Sequence, residues 1–178
     1  MLRFGVSSIA LLALVVSACG HAPPPPAASP DDLIPVGAPA PDFIARAHDG
    51  TNVHLSDLRG HDVVLYFYPK DDTTGCTKEA CSFRDSWERL QAAGVVVLGV
   101  STQDSVSHTA FATKYKLPFP LLPDPQGEIA GKYHVPLANG LARRVTYLID
   151  KEGRVAHVWP RVNPEGHAGE IFAALPPA

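Results

Sequence analysis

Residues 62–85 read DVVLYFYPKDDTTGCTKEACSFRD, and the three parts of this stretch follow one another in a telling order. Asp62 to Tyr68 is a run of β-branched and aromatic residues, long enough for a buried central strand. Pro69 to Gly75 is a turn of polar residues, proline and glycine. From Gly75 the pattern becomes helical and is predicted to stay so to Ala93, with Cys76, Ala80, Phe83, Trp87 and Leu90 on one stripe. A buried strand that passes through a polar turn into an amphipathic helix is the opening of an α/β arrangement.

The same alternation continues outward. VVVLGV at 95–100 is a second buried strand, Val106 to Tyr115 a helix stopped near Pro118, and Gln126 to Tyr133 a short helix. Val145 to Ile149 and Val155 to Trp159 form a late hairpin through the turn Asp150-Lys151-Glu152-Gly153, and residues 164–175 close the chain as a helix. Upstream, Phe43 to Leu55 is predicted to be a short N-terminal hairpin turning at Asp49-Gly50. The expected class is α/β, with a mixed central sheet flanked by helices on both faces. The chain has 178 residues, 46% of them hydrophobic and 19% charged, which suits one domain of ordinary size. A net charge of −3 with scattered Lys and Arg leaves no basic footprint for nucleic acid, and 3 cysteines are too few for a disulfide scaffold.

Ahead of this domain, residues 1–18 carry Arg3 and then an uncharged apolar run from Phe4 to Val16. At ~1.5 Å per residue that run covers only ~20 Å of a ~30 Å hydrocarbon core, so it reads as a secretory signal rather than a membrane span. Val16-Ser17-Ala18-Cys19 resembles the lipobox of bacterial lipoproteins. That resemblance implies cleavage before Cys19, lipidation of its sulfur, and a protein exported to the periplasmic side of the cell envelope. Gly20 rather than Asp after the cysteine favours outer-membrane sorting in a Gram-negative host. Residues 19–34, with Pro23 to Pro26, form either a polyproline tether or a leader of no selected length, and residues 35–178 form the folded domain.

Cys76 falls in the first turn of its helix, where unpaired backbone N–H groups and the helix dipole stabilise negative charge. A thiolate there suits attack on an electrophilic oxygen or sulfur; a buried structural cysteine is the plainer alternative. Cys81 lies about 140° round the helix and ~7.5 Å further along it. An intact helix holds two such Cα atoms beyond the ~7 Å reach of a disulfide. The two thiols are therefore either a redox couple that unwinds the helix to pair, or unrelated.

Pro69-Lys70-Asp71-Asp72-Thr73-Thr74-Gly75-Cys76 resembles the Pro-x-x-x-Thr-x-x-Cys motif of peroxiredoxins. With Cys81 at plus five, the chain is similar to the peroxiredoxin Q (bacterioferritin comigratory protein) subfamily. The likeness extends through VVVLGVST and RVTYLIDKEGRV, over about residues 35–175. It implies a thioredoxin-like fold and thiol-dependent reduction of hydrogen peroxide and organic hydroperoxides. By the same resemblance Cys76 is the peroxidatic cysteine, and Cys81 resolves its sulfenic acid as an intramolecular disulfide. Thr73 bonds thiolate and peroxide, Pro69 shields the site, Arg144 stabilises the thiolate and polarises the peroxide, and Glu79 orients the arginine. Thioredoxin or a similar dithiol is the implied reductant, no cofactor or metal is required, and a monomer is the subfamily expectation. Arg143 competes with Arg144, and the register of Leu148-Ile149-Asp150 selects Arg144. Two departures stand out: Thr74 replaces the usual Pro or Ser, and the stretch from Tyr133 to Arg144 is shorter than in some relatives.

Two rival readings are an exported thiol–disulfide oxidoreductase and a tethered copper carrier of thioredoxin-like fold. The first usually carries Cys-x-x-Cys and the second Cys-x-x-x-Cys, whereas four residues separate Cys76 from Cys81. Neither accounts for Pro69, Thr73 and Arg144 together. None of the 8 histidines is spaced at i, i+4 from another or adjacent to Cys76 or Cys81, so they are expected on the surface, without a metal.

Overall fold

Val64 and Tyr66 face one way from the central strand while Val63, Leu65 and Phe67 face the other, and all five are buried. That two-sided burial is what a near-continuous apolar run requires, and it divides the core into two layers. The computed structural model describes Met1 and residues 32–175. The predicted signal peptide, Cys19 and most of the predicted tether lie outside the described residues.

In chain order the elements are β1 (Ile44–Arg46), β2 (Asn52–His54), a 3-10 turn (Leu55–Leu58), β3 (Asp62–Phe67), α1 (Thr74–Asp85) and α2 (Trp87–Ala92). There follow β4 (Val95–Ser101), α3 (Ser105–Tyr115), β5 (Leu121–Pro123) and α4 (Glu128–Lys132). The chain ends with β6 (Leu137–Ala138), β7 (Leu141–Ala142), β8 (Val145–Ile149), β9 (Val155–Trp159) and α5 (His167–Ala174). The main sheet has the order β5-β4-β3-β8-β9. β3 pairs parallel with β4, and β4 with β5, while β8 runs antiparallel to β3 and to β9. The helices α1, α2, α3 and α5 cover one face through Ala80, Phe83, Leu90, Phe111 and Ile171. The N-terminal hairpin and α4 cover the other, around Phe43, Ile129, Tyr133 and Tyr147. This is the thioredoxin-like mixed sheet that the sequence led us to expect.

The differences are local. The single helix predicted from Gly75 to Ala93 is two helices, because at Ser86 the amide bonds Phe83 O at 3.2 Å, a tightened 3-10 link. Asp85 and Ser86 are poor helix formers, and the turn falls there. The helix predicted from Val106 to Tyr115 is found at Ser105–Tyr115, stopped where Lys116 takes the left-handed conformation with φ 53°. The short strand β5 and the small β6–β7 hairpin complete the fold; the latter occupies the stretch between Tyr133 and Arg144. No helix among the described residues is long and apolar enough to cross a membrane.

Candidate active site

β3 and β8 lie side by side and antiparallel, with Phe67 opposite Val145. The loop that leaves the end of β3 therefore meets the residue that enters β8, which is Arg144. Thr73 is the N-cap residue of α1, and Thr77 N returns to its carbonyl at 2.8 Å. Cys76 is the third residue of that helix and is 2% exposed, so its sulfur is buried at the helix start.

Arg144 Nη2 donates to Cys76 Sγ at 3.1 Å. Its other terminal nitrogen, Nη1, donates to Glu79 Oε2. Glu79 stands one turn beyond Cys76 and is fully buried, so one planar fork joins sulfur and carboxylate. Burial works against the charge of Arg144, yet Glu79 and the Cys76 sulfur together hold its pKa above the ordinary value. Burial pushes the Glu79 carboxyl up to about 7, against the pull of Arg144. Its Oε1 has no hydrogen-bond partner among the described residues.

Thr73 Oγ1 donates to Lys70 O at 3.0 Å and makes no capping bond to the helix amides. The hydroxyl hydrogen is thus occupied while the oxygen lone pairs stay available to accept. Pro69 is half-buried beside the buried Tyr68. Cys81 is a free, half-buried thiol on the same unbroken helix, with Arg84 close enough to interact with its sulfur. Cys76 is also free. The structure thus brings Cys76, Arg144 and Glu79 together, places Thr73 and Pro69 on the loop leading in, and leaves Cys81 apart.

Sequence reasoning missed a second constellation. Asp71, 7% exposed, receives Tyr68 OH at 2.7 Å on Oδ1, and Ser107 Oγ at 2.6 Å on Oδ2. His108 Nδ1 also lies 2.8 Å from Oδ2. Burial would raise the Asp71 pKa, but the bonds from His108, Ser107 and Tyr68 keep it below the ordinary carboxylate value. The expectation of surface histidines is corrected here, since His108 and His167 are both fully buried. His108, Phe111, Ala112 and Tyr115 recur at i, i+3, i+4 and i+7. That stripe was the available sign that His108 belongs to the inner face of α3. His167 bonds Thr146 Oγ1 at 3.0 Å and Glu170 Oε2 at 2.7 Å, and burial lowers its pKa while Glu170 pulls it upward. Among the described residues no group of three or more His, Cys, Asp and Glu side chains is arranged to hold a metal ion.

The profile of the AhpC/TSA family matches residues 36–158. A curated relative from Coxiella burnetii, named as a peroxiredoxin bcp, is 46% identical over 149 residues, which span 80% of this chain and 99% of that protein. A chloroplastic peroxiredoxin Q from Oryza sativa subsp. japonica is 46% identical over 142 residues, covering 78% of this chain and 65% of its own length. Among solved structures, the peroxidoxin BcpB of Mycobacterium tuberculosis superposes with a TM-score of 0.73 at 33% identity, over 79% of this chain and 96% of that one. With the family profile lying across the sheet and the Cys76–Arg144 contact, the chain belongs to the AhpC/TSA family, within it to the peroxiredoxins of the Q or bacterioferritin comigratory type.

Proposed function

We propose that the protein is a thiol-dependent peroxidase that reduces hydrogen peroxide and organic hydroperoxides at Cys76. The observation that carries this reading is the guanidinium of Arg144 at 3.1 Å from a buried sulfur in the first turn of a helix. Helix amides and a fixed cation both favour the thiolate, which is the nucleophile. The thiolate attacks the terminal oxygen of ROOH; an S–O bond forms, the O–O bond breaks, and the leaving RO⁻ takes a proton to become ROH. Charge develops on that leaving oxygen, where preorganised donors lower the barrier. Arg144 supplies them, Glu79 keeps its fork aligned, Thr73 accepts from the peroxide O–H, and Pro69 shields the sulfenic acid.

Cys81 then attacks Cys76–SOH, forming the disulfide and releasing water. Thioredoxin or a similar dithiol reduces the disulfide and is itself oxidised to one. The sulfur carries the redox change, so the cycle runs without metal, haem or flavin. Residues 35–178 act as a monomeric domain, held by a lipidated Cys19 and a tether of residues 19–34 at the periplasmic side of the envelope.

The test is intact mass of the reduced chain carrying Cys19→Ser, before and after one equivalent of hydrogen peroxide. Rapid loss of two hydrogens is expected, abolished by Cys76→Ser and replaced by gain of one oxygen in Cys81→Ser. Oxidation no faster than that of free cysteine would refute the peroxidase reading.

A further inference from the structure

Both carboxylates of the loop that leads to Cys76 are tied to one helix that takes no part in the site. Asp71 is held at the start of α3 by Ser107 and His108, as well as by Tyr68. Asp72, which adopts a φ of 56°, is held at its end by Lys114 Nζ at 2.6 Å and Tyr115 OH at 2.5 Å. The two attachments differ in kind. Asp72 and Lys114 are exposed, and a solvated pair of that sort constrains little. The Asp71 carboxylate is buried and receives three donors, one of them a ring nitrogen that is itself inaccessible. His108 Nε2 has no partner among the described residues, so a hydrogen on Nδ1 and a bare lone pair on Nε2 is the least costly tautomer, one that points the ring's only N–H at Asp71.

That bond has a chemical consequence because the loop has two jobs. Cys76 meets Arg144 only while the loop and the first turn of α1 are formed. Cys81, five residues on in the same helix, reaches Cys76 only when that turn is undone. We propose that His108 is a positioning residue for Cys76, whose hydrogen bond to Asp71 holds residues 69–76 in the peroxide-reactive arrangement and opposes the unwinding that disulfide formation needs. The proposal rests on the peroxidase reading above. It differs from ordinary structural support in that losing the bond speeds one half-reaction while slowing the other.

The experiment follows the two steps separately in the full chain carrying Cys19→Ser, by stopped-flow fluorescence after mixing with hydrogen peroxide. Trp87 opens α2 directly behind α1 and packs on Phe119 at 5.9 Å, so its emission reports on α1. His108→Leu fills the space without the donor, and it is expected to slow sulfenic acid formation about tenfold while accelerating disulfide formation. His108→Asn keeps an N–H where Nδ1–H stood, and is expected to return both rates to within about twofold of the parent. Ser107→Ala removes a second, half-buried donor and is expected to move both rates in the same two directions by a smaller factor. It keeps the test open should His108→Leu not fold. Unchanged rates in both donor-deleting variants, or equal slowing of both steps with no recovery in His108→Asn, would overturn the assignment. A parent protein that reacts with peroxide no faster than free cysteine would instead overturn the peroxidase reading, and this inference with it.

Discussion

A Cβ added to Gly75 would stand 3.2 Å from Arg144 Nη2, the nitrogen that bonds the Cys76 sulfur. Arg144 is fixed between that sulfur and Glu79, so it gives way only by loosening one of them. Gly75 lies in the first turn of α1, where alanine is the better helix former by at most about 1 kcal/mol. Gly75→Ala is therefore expected to leave stability equal or raised while slowing peroxide reduction. Thermal unfolding and competition kinetics against a reference peroxidase measure the two effects. Loss of stability with an unchanged rate would contradict the assigned contact.

Arg144→Lys keeps the charge but replaces a planar fork with a single ammonium, which cannot serve Cys76 and Glu79 in the same geometry. The rate constant of Cys76 with hydrogen peroxide is expected to fall about 100-fold. Unfolding by denaturant should shift much less, which separates the chemical role from a structural one.

Glu79 gives the fold a pH signature. Its folded-state pKa of about 7 lies above the ordinary 4.5, so folding binds a proton. The resulting stabilisation is fully present below about 4.5 and is lost as pH rises through about 7, a change on the order of 3 kcal/mol. Urea unfolding at pH 5 and pH 8 should show the reduced protein less stable at the higher pH from this group. In Glu79→Gln that component of the slope should vanish; an identical slope would place the titration elsewhere.

Closing a disulfide between Cys76 and Cys81 requires α1 to lose part of its helix. Oxidation should reduce the far-UV helical signal and expose the amides from Thr77 to Ser82 to hydrogen exchange, with both changes reversed by dithiothreitol. Cys81→Ser should keep the helical signal when it is oxidised. A wild-type disulfide formed with α1 fully protected would rule out pairing between these two thiols.

Gly99 on β4 lies opposite Tyr66 on β3, and a Cβ there would fall 2.7 Å from the Tyr66 hydroxyl and from Leu121 Cδ2. Both neighbours are fully buried in a packed layer that has nowhere to move. Gly99→Ala is expected to destabilise by about 1–3 kcal/mol, measured by denaturant midpoint at constant slope.

What the sequence disclosed depended on whether an element carries its own period or pairing signal. β3, β4 and the β8–β9 hairpin are long apolar runs beside turn residues, and each is found where those runs predict. The Leu121–Pro123 strand is too short for any period to show. The break at Ser86 is hidden because Phe83, Trp87 and Leu90 keep helical spacing across it. Within the site, Cys76 at a helix start followed from local pattern alone. The contact of Arg144 with Glu79 spans 65 positions and that of His108 with Asp71 spans 37. Only the first had a family motif to suggest it. The helical stripe of His108 with Phe111, Ala112 and Tyr115 signals the inner face of α3, but the partner Asp71 lies on another element and no local spacing points to it.

The pairing of Phe67 with Val145 also separates what must stay constant from what is free to vary. Ladder hydrogen bonds between β3 and β8 set the position at which Arg144 enters the sheet, whatever path the chain takes to reach it. The β6–β7 hairpin spans that path and pairs only with itself. Lengthening or shortening it changes the link between α4 and β8 and leaves the guanidinium on the sulfur. That segment is thereby free to change by insertion and deletion, independently of the geometry that holds Arg144 on Cys76.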